Sequence, residues 1–288
     1  MKSSIQTCTL VIGLLPFLAL GACAQPAPES TPVPASSTPA RVSLPDTEVR
    51  QLKSSETGRN YDIYIRLPAE YTQTKKYPVL YLLDGHWDFK LLDSIYGGLY
   101  YDGFVPEMII VGITYSGDNP DYNSLRAMDY TPFHESFVPG SGDAPKFLAF
   151  LKKELFPLIE SSYRVDTSRR VLMGHSFGGT FTLYAMFAEP ELFSGYVAGS
   201  PPVPLGGQFA FEQEAKYASS HKDLPVRLYL FVGGSEDLTY PVERFMQVLL
   251  EREYPSLEME TLTIAEEGHA SNKPEGFNRG LRYIFRGE

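Results

Sequence analysis

Polar and apolar residues alternate over residues 47–53 and, more regularly, over 61–67 (Tyr61-Asp62-Ile63-Tyr64-Ile65-Arg66-Leu67), the pattern of a strand with one wet face. Together they read as an antiparallel hairpin at a sheet edge. Residues 77–83 are instead apolar throughout, as a strand buried on both faces must be, and they end in the turn Asp84-Gly85-His86-Trp87. Beyond that turn, short apolar runs at 108–114, 170–173, 195–199, 226–232 and 257–264 alternate with helical periodicity at 146–159, 177–187, 209–219, 242–253 and 277–285. Strands and helices taken in turn predict an α/β fold, a mostly parallel eight-stranded central sheet with helices on both faces.

One interval breaks the alternation. Residues 115–143 exceed the two to six residues usual for a connection in an α/β unit, and they carry Tyr115, Tyr122, Tyr130, Phe133 and Phe137 with Arg126, Asp129 and His134. An aromatic-rich excursion leaving the carboxyl end of a strand is placed to form a substrate-side wall or lid. A surface loop packed on its own aromatics has the same composition, and the pattern does not choose between them.

The start of the chain follows other rules. Residues 1–22 have a basic end at Lys2 and an apolar run opened by Leu10-Val11-Ile12-Gly13-Leu14-Leu15, too short to span a bilayer. They read as a lipoprotein signal peptide, because Leu20-Gly21-Ala22-Cys23 resembles the lipobox of bacterial lipoproteins, in which the signal is cut before a cysteine that then receives lipid. An ordinary signal peptide is the alternative. Cys8, the other of the two cysteines, would leave with the signal, so the exported chain would hold one cysteine and no internal disulfide. Residues 23–40, rich in Pro, Ser, Thr and Ala, read as a semi-extended tether from lipidated Cys23. Ala24 in place of aspartate favours, by the same resemblance, the periplasmic face of the outer membrane.

Residues 41–288 are then the folded domain, about 250 residues, a size at which one domain buries roughly 70–75% of its unfolded surface. The formal net charge of −10, which becomes more acidic once Lys2 is lost, argues against nucleic acid and anionic headgroups as partners. Membrane attachment is expected through the N-terminal lipid only, and the remaining partner is a small molecule.

The chemistry is concentrated in Gly174-His175-Ser176-Phe177-Gly178-Gly179. A Gly-x-Ser-x-Gly sequence held between a strand and a helix is a nucleophile elbow, a tight turn that presents a serine hydroxyl. The serine conformation is strained, and side chains at the flanking positions would strike the neighbouring strand or helix.

A serine hydroxyl needs a base, ordinarily histidine. Of the five histidines, His175 lies inside the elbow and must point away from Ser176, as a structural group. His86 follows the third strand, His134 lies in the excursion, and His221 precedes a strand. His269, in the loop between the last strand and the last helix, falls on the same carboxyl edge as Ser176 and completes the order nucleophile, acid, histidine. The acid should follow the strand 226–232, where Glu236 and Asp237 are adjacent; Asp237 is the first choice and Glu236 the alternative. The oxyanion needs two backbone donors, Phe177 after the nucleophile and Gly85, His86 or Trp87 after the third strand. Trp87 can wall the acyl pocket or pack in the core. No metal or organic cofactor is called for.

These residues resemble the Putative esterase (esterase D-like) family of the α/β-hydrolase superfamily, through YPVLYLLDG, NSLRAMDYTP, KFLAFLKKELFPLIESSYRVD, RRVLMGHSFGG, GGSED and EEGH. The resemblance implies an α/β-hydrolase fold and a serine hydrolase that cleaves carboxylic esters through an acyl-enzyme. The NSLRAMDYTP stretch is most similar to the branch containing siderophore esterases, in which Arg126 would receive anionic or catecholate groups and Tyr130 would join it against substrate; an arginine that anchors a surface loop explains Arg126 equally well. Acyl transfer and a non-catalytic binding lipoprotein are the other readings. Ser200-Pro201-Pro202-Val203-Pro204-Leu205 departs from the family's Ser-Pro-Ser-aromatic segment and alters a pocket wall.

Overall fold

In the computed structural model, which describes residues 42–287, the strands fall where the alternation of polarity puts them. The signal peptide, Cys23 and the tether lie outside the described residues. β1 (Thr47–Lys53) and β2 (Asn60–Arg66) form the edge hairpin, antiparallel in register from Thr47 with Arg66 to Lys53 with Asn60. β3 (Tyr77–Leu82) is buried at every position, as an unbroken apolar run requires. It feeds directly into α1 (Gly85–Tyr101), a helix of 17 residues that the turn signal Asp84-Gly85-His86-Trp87 concealed. β4 (Ile109–Tyr115) follows, then α2 (Tyr122–Tyr130) inside the excursion.

The helical stretch expected at 146–159 is two helices, α3 (Ala144–Phe150) and α4 (Phe156–Ser162), joined by a π-helical turn at Leu151–Leu155. Pro157 explains the widening. It has no N–H to donate and its ring would press on the carbonyl one turn back, so the backbone loosens before it. β5 (Val165–His175), α5 (Phe177–Ala188), β6 (Gly195–Gly199), α6 (Leu205–Ser220), β7 (Arg227–Gly233), α7 (Thr239–Glu251), β8 (Glu258–Ile264) and α8 (Lys273–Ile284) complete the chain. The right-handed part of α6 starts only after Gly206, Gly207 and Gln208, which all hold left-handed backbone angles.

The eight strands form one sheet in the order β1-β2-β4-β3-β5-β6-β7-β8. It is mixed: β2 pairs antiparallel with both β1 and β4, while every other pairing is parallel. Each face carries its own core. On one, Phe89, Leu92 and Tyr96 of α1 and Phe277 and Leu281 of α8 cover Leu80, Leu82 and Met173. On the other, Phe147, Phe156, Phe181 and Phe245 cover Val79, Tyr81 and Leu172. Burying both faces of β3 and β5 fixes the height of their carboxyl ends, the edge where ligands bind in such sheets.

Candidate active site

The elbow forms between the end of β5 and the start of α5. Ser176 has φ 60° and ψ −123°, an angle that few non-glycine residues adopt and that turns its side chain out of both elements. Its N–H donates to Gly199 O at 2.8 Å and its carbonyl accepts from Thr180 N at 2.9 Å. The flanking glycines are required by contact. A Cβ on Gly174 would lie 2.4 Å from the Gly178 carbonyl, and one on Gly179 would lie 2.6 Å from Gly199 O. Phe177, first residue of α5, has an N–H that no turn of its own helix can satisfy.

Asp84, also left-handed at φ 54°, starts the opposing turn. Trp87 N and Asp88 N both donate to Asp84 O, which leaves the N–H groups of Gly85 and His86 ahead of the first helical bond. The turn packs on the elbow: a Cβ on Gly178 would lie 3.3 Å from the Asp84 carboxylate. The His86 side chain has a separate task. Its ring stacks on Tyr122 at 3.7 Å, Nδ1 meets Thr114 Oγ1 at 3.0 Å, and burial lowers its pKa to about 4, so the ring stays neutral.

His269 stands in the loop between β8 and α8, its side chain about half exposed, with Nδ1 2.6 Å from Glu236 Oε2. The acid at His269 is therefore Glu236, and the expectation of Asp237 is corrected. Glu236 lies three residues beyond β7 and is long enough for its carboxylate to turn back, where Oε1 accepts the Gly233 N–H at 2.6 Å and the Ser200 hydroxyl at 2.6 Å. Asp237 is exposed on the outer side of the same turn. Burial works to raise the Glu236 pKa, but the hydrogen bonds from His269, Ser200 and Gly233 outweigh it and hold the carboxyl below the usual glutamate range. The two loops are also joined through their backbones, with Gly234 N donating to Ile264 O at 2.8 Å and Ser235 N to Glu267 O at 2.9 Å.

Arg126 and Tyr130, expected against substrate, do not face it. Arg126 is only 7% exposed and its guanidinium holds the Asp84 carboxylate in a fork, Nε to Oδ1 at 2.8 Å and Nη2 to Oδ2 at 2.7 Å, with a further bond to His175 O at 3.2 Å. Tyr130 is fully buried and its hydroxyl accepts the Asp84 N–H at 3.3 Å. Asp129 of the same helix takes Arg59 and Tyr61. These residues anchor α2 and hold the Asp84 turn. Trp87, by contrast, is 43% exposed beside that turn, its ring tilted against that of His86 at 4.0 Å, so it is not part of the core.

The second half of the excursion reaches the segment that departs from the family pattern. Phe133 packs on Phe209 at 5.4 Å, and Glu135 Oε1 accepts the Gly206 N–H at 2.5 Å. A narrow apolar crevice, no wider than a water molecule, lies beneath them, lined by Thr180, Tyr184, Pro201, Pro202 and Phe209 among others. Its lining includes Thr180, one helical turn after Ser176.

A serine elbow facing an amide turn, with a histidine–carboxylate pair on the same sheet edge, is an arrangement for acyl transfer chemistry. The model of the Putative esterase family matches residues 54–260. The chain belongs to that family. Among its curated relatives, ferri-bacillibactin esterase BesA of Bacillus subtilis is 30% identical over 268 residues, covering 84% of this chain and 90% of that protein. The crystal structure of BES protein from Bacillus cereus superposes with a TM-score of 0.78 at 27% identity, covering 87% of this esterase and 98% of that chain. Siderophore hydrolase EstB from Aspergillus nidulans does so with a TM-score of 0.72 at 26% identity, covering 86% and 98%. The esterase has the α/β-hydrolase fold, with a mixed sheet, and its relatives support carboxylic ester hydrolysis.

Sequence reasoning missed Asn272 and the role of Ser200. Asn272 is fully buried, and its amide meets His175, Ser200 and Glu236. An asparagine three residues after a histidine carries no sign of this in one dimension.

Proposed function

We propose that this esterase is a serine hydrolase that cleaves siderophore esters through an acyl-enzyme, with Ser176 as nucleophile, His269 as base and Glu236 as the acid that orients it. The observation that carries the reading is the strained Ser176 elbow at the sheet edge where Glu236 holds His269. Oγ of Ser176 bonds to the ester carbonyl carbon as its proton passes to His269, and the N–H groups of Phe177 and of Gly85 or His86 receive the oxyanion. The carbon–oxygen bond to the alcohol then breaks, His269 returns the proton to the departing oxygen, and water repeats the sequence to release the acid.

The substrate class is supported by the printed functions of BesA and EstB, a ferri-bacillibactin esterase and a siderophore hydrolase. With Arg126 committed to Asp84, substrate recognition falls to exposed Trp87 and to the wall of Phe133, Pro201 and Pro202. We further place the protein outside the cytoplasm, attached through lipid on Cys23.

The test is turnover of a ferric catecholate trilactone beside acetyl, feruloyl and p-nitrophenyl esters, for the parent chain and Ser176→Ala. The parent should prefer the trilactone, and Ser176→Ala should lose all measurable turnover while keeping its circular dichroism. Turnover by Ser176→Ala at the parent's rate would overturn the mechanism, and a preference for feruloyl esters would overturn the substrate.

A further inference from the structure

Asn272 sits where the His269 loop becomes α8. Its N–H donates to Gly268 O at 3.3 Å and its carbonyl accepts from Gly276 N at 2.9 Å, so its backbone closes the turn that carries His269. Its side chain, fully buried, reaches across three neighbouring strand ends. Nδ2 lies 2.8 Å from Ser200 Oγ after β6 and 2.9 Å from Glu236 Oε1 after β7, and Oδ1 lies 3.1 Å from His175 Nε2 at the end of β5.

The chemistry of the partners fixes every orientation. An ionised carboxylate only accepts, so the amide must turn Nδ2 toward Glu236, which leaves Oδ1 facing His175. His175 Nε2 must then carry its hydrogen. Ser200 accepts from Asn272 and donates to Glu236 Oε1 at 2.6 Å, closing a ring of three hydrogen bonds around one carboxylate oxygen. The other oxygen, Oε2, is left to His269 Nδ1. The His175 ring packs 4.8 Å from the His269 ring, and in its neutral form it does not oppose the imidazolium that forms there.

We propose that Asn272 is a positioning residue of this active site, acting through Glu236: it locks the carboxylate and the neutral His175 ring so that His269 is held in one tautomer and one orientation toward Ser176. The proposal rests on the esterase reading. It differs from ordinary core packing because each of the amide's polar atoms is used within the site, and a buried polar network of this kind specifies geometry only when all its members are satisfied.

A double-mutant cycle tests it. Steady-state kinetics on p-nitrophenyl butyrate are measured for the parent, Asn272→Ala, Glu236→Gln and the double variant, with circular dichroism melts and fluorophosphonate labelling of Ser176. Asn272→Ala is expected to lower kcat by about 10–100-fold, the scale of a hydrogen bond to a charged group, with KM within about twofold. In the Glu236→Gln background the same substitution should cost less than about threefold, because the carboxylate it serves is gone. Equal losses in both backgrounds, or a loss confined to KM, would overturn the proposal. Should Asn272→Ala fail to fold, Ser200→Ala, which removes one donor to the same oxygen, enters the cycle in its place. A loss that disappears with Glu236→Gln supports the relay and one that persists refutes it. Full activity in Ser176→Ala would instead sink the esterase reading, whatever Asn272 does.

Discussion

Glu236 and Asp237 are adjacent and equally acidic, yet the turn after β7 sends only one of them inward. Glu236 has the extra methylene needed to bring its carboxylate back to the Gly233 N–H, where Ser200 and Asn272 also converge, whereas Asp237 stays in solvent. Removing the charge while keeping the shape should therefore separate the two. Glu236→Gln is expected to lower kcat on a p-nitrophenyl ester by about 10³–10⁴-fold, the scale set by loss of the orienting carboxylate in a catalytic triad, and Asp237→Asn should stay within about threefold of the parent. Comparable losses in both variants would return the acid to dispute.

At the level of elements, the excursion, which the sequence leaves open as a lid or a self-packed loop, is divided. Its first half is α2, fixed to the body by two buried ion pairs, Arg126 with Asp84 and Arg59 with Asp129. Breaking such a pair from one side leaves an uncompensated charge, and Arg126→Ala should cost about 3–5 kcal/mol in urea unfolding. A cost below about 1 kcal/mol would mean that Arg126 is freer than its fork to Asp84 implies. A second tie joins α1 to α8, where Lys273 reaches Asp88 Oδ1 at 2.8 Å while Oδ2 is buried with no hydrogen-bond partner among the described residues. Burial outweighs the lysine and pushes the Asp88 carboxyl up to about 6. The folded pKa is raised, so the unfolded chain, with its ordinary aspartate value, releases the proton first. Stability from this group is full below about pH 4 and is lost as pH rises through about 6, by roughly 2–3 kcal/mol. Asp88→Asn has no such proton to lose. Its unfolding free energy relative to the parent should rise by that amount between pH 4 and pH 7, and a flat difference across the range would show that Lys273 keeps Asp88 ionised throughout.

For the whole molecule, one sheet carries two cores and a single reactive edge. The order β3-β5-β6-β7-β8 puts the Asp84 turn, Ser176, Ser200, Glu236 and the His269 loop at successive carboxyl ends, and the packing of α1 beside α8 brings together residues 185 positions apart, Lys273 and Asp88. The proposed membrane attachment rests on a different part of the chain. If lipid on Cys23 is the anchor, Cys23→Ala expressed in a Gram-negative host should move the esterase from the membrane pellet to the soluble fraction, with kcat on p-nitrophenyl esters within about twofold of the parent. Retention in the pellet would require another anchor. Several acyl chains at about 0.8 kcal/mol per buried methylene would make such an attachment firm.

How much of this was legible depended on how far apart the cooperating residues are. Alternation and apolar runs are local, and they gave the eight strands within one or two residues at most ends; β5 alone extends well beyond its apolar run, starting at Val165. The elbow was legible because its glycines and serine are neighbours whose strain is resolved within a single turn. α1 was hidden because its turn signal masked a helix start, and α2 because a polar stretch is held helical by buried ion pairs that the local pattern does not contain. Arg126, Tyr130 and Asp237 were misjudged for one reason: the direction of a side chain is set by what packs against it, and Asp84, the β7 turn and the Glu236 ring come from distant segments. The sequence by itself determined the sheet, the serine elbow and the strand end on which that elbow sits. Only the tertiary structure decided which acid meets His269 and that Asn272 joins three strand ends, because those contacts exist only once β5, β6 and β7 lie side by side.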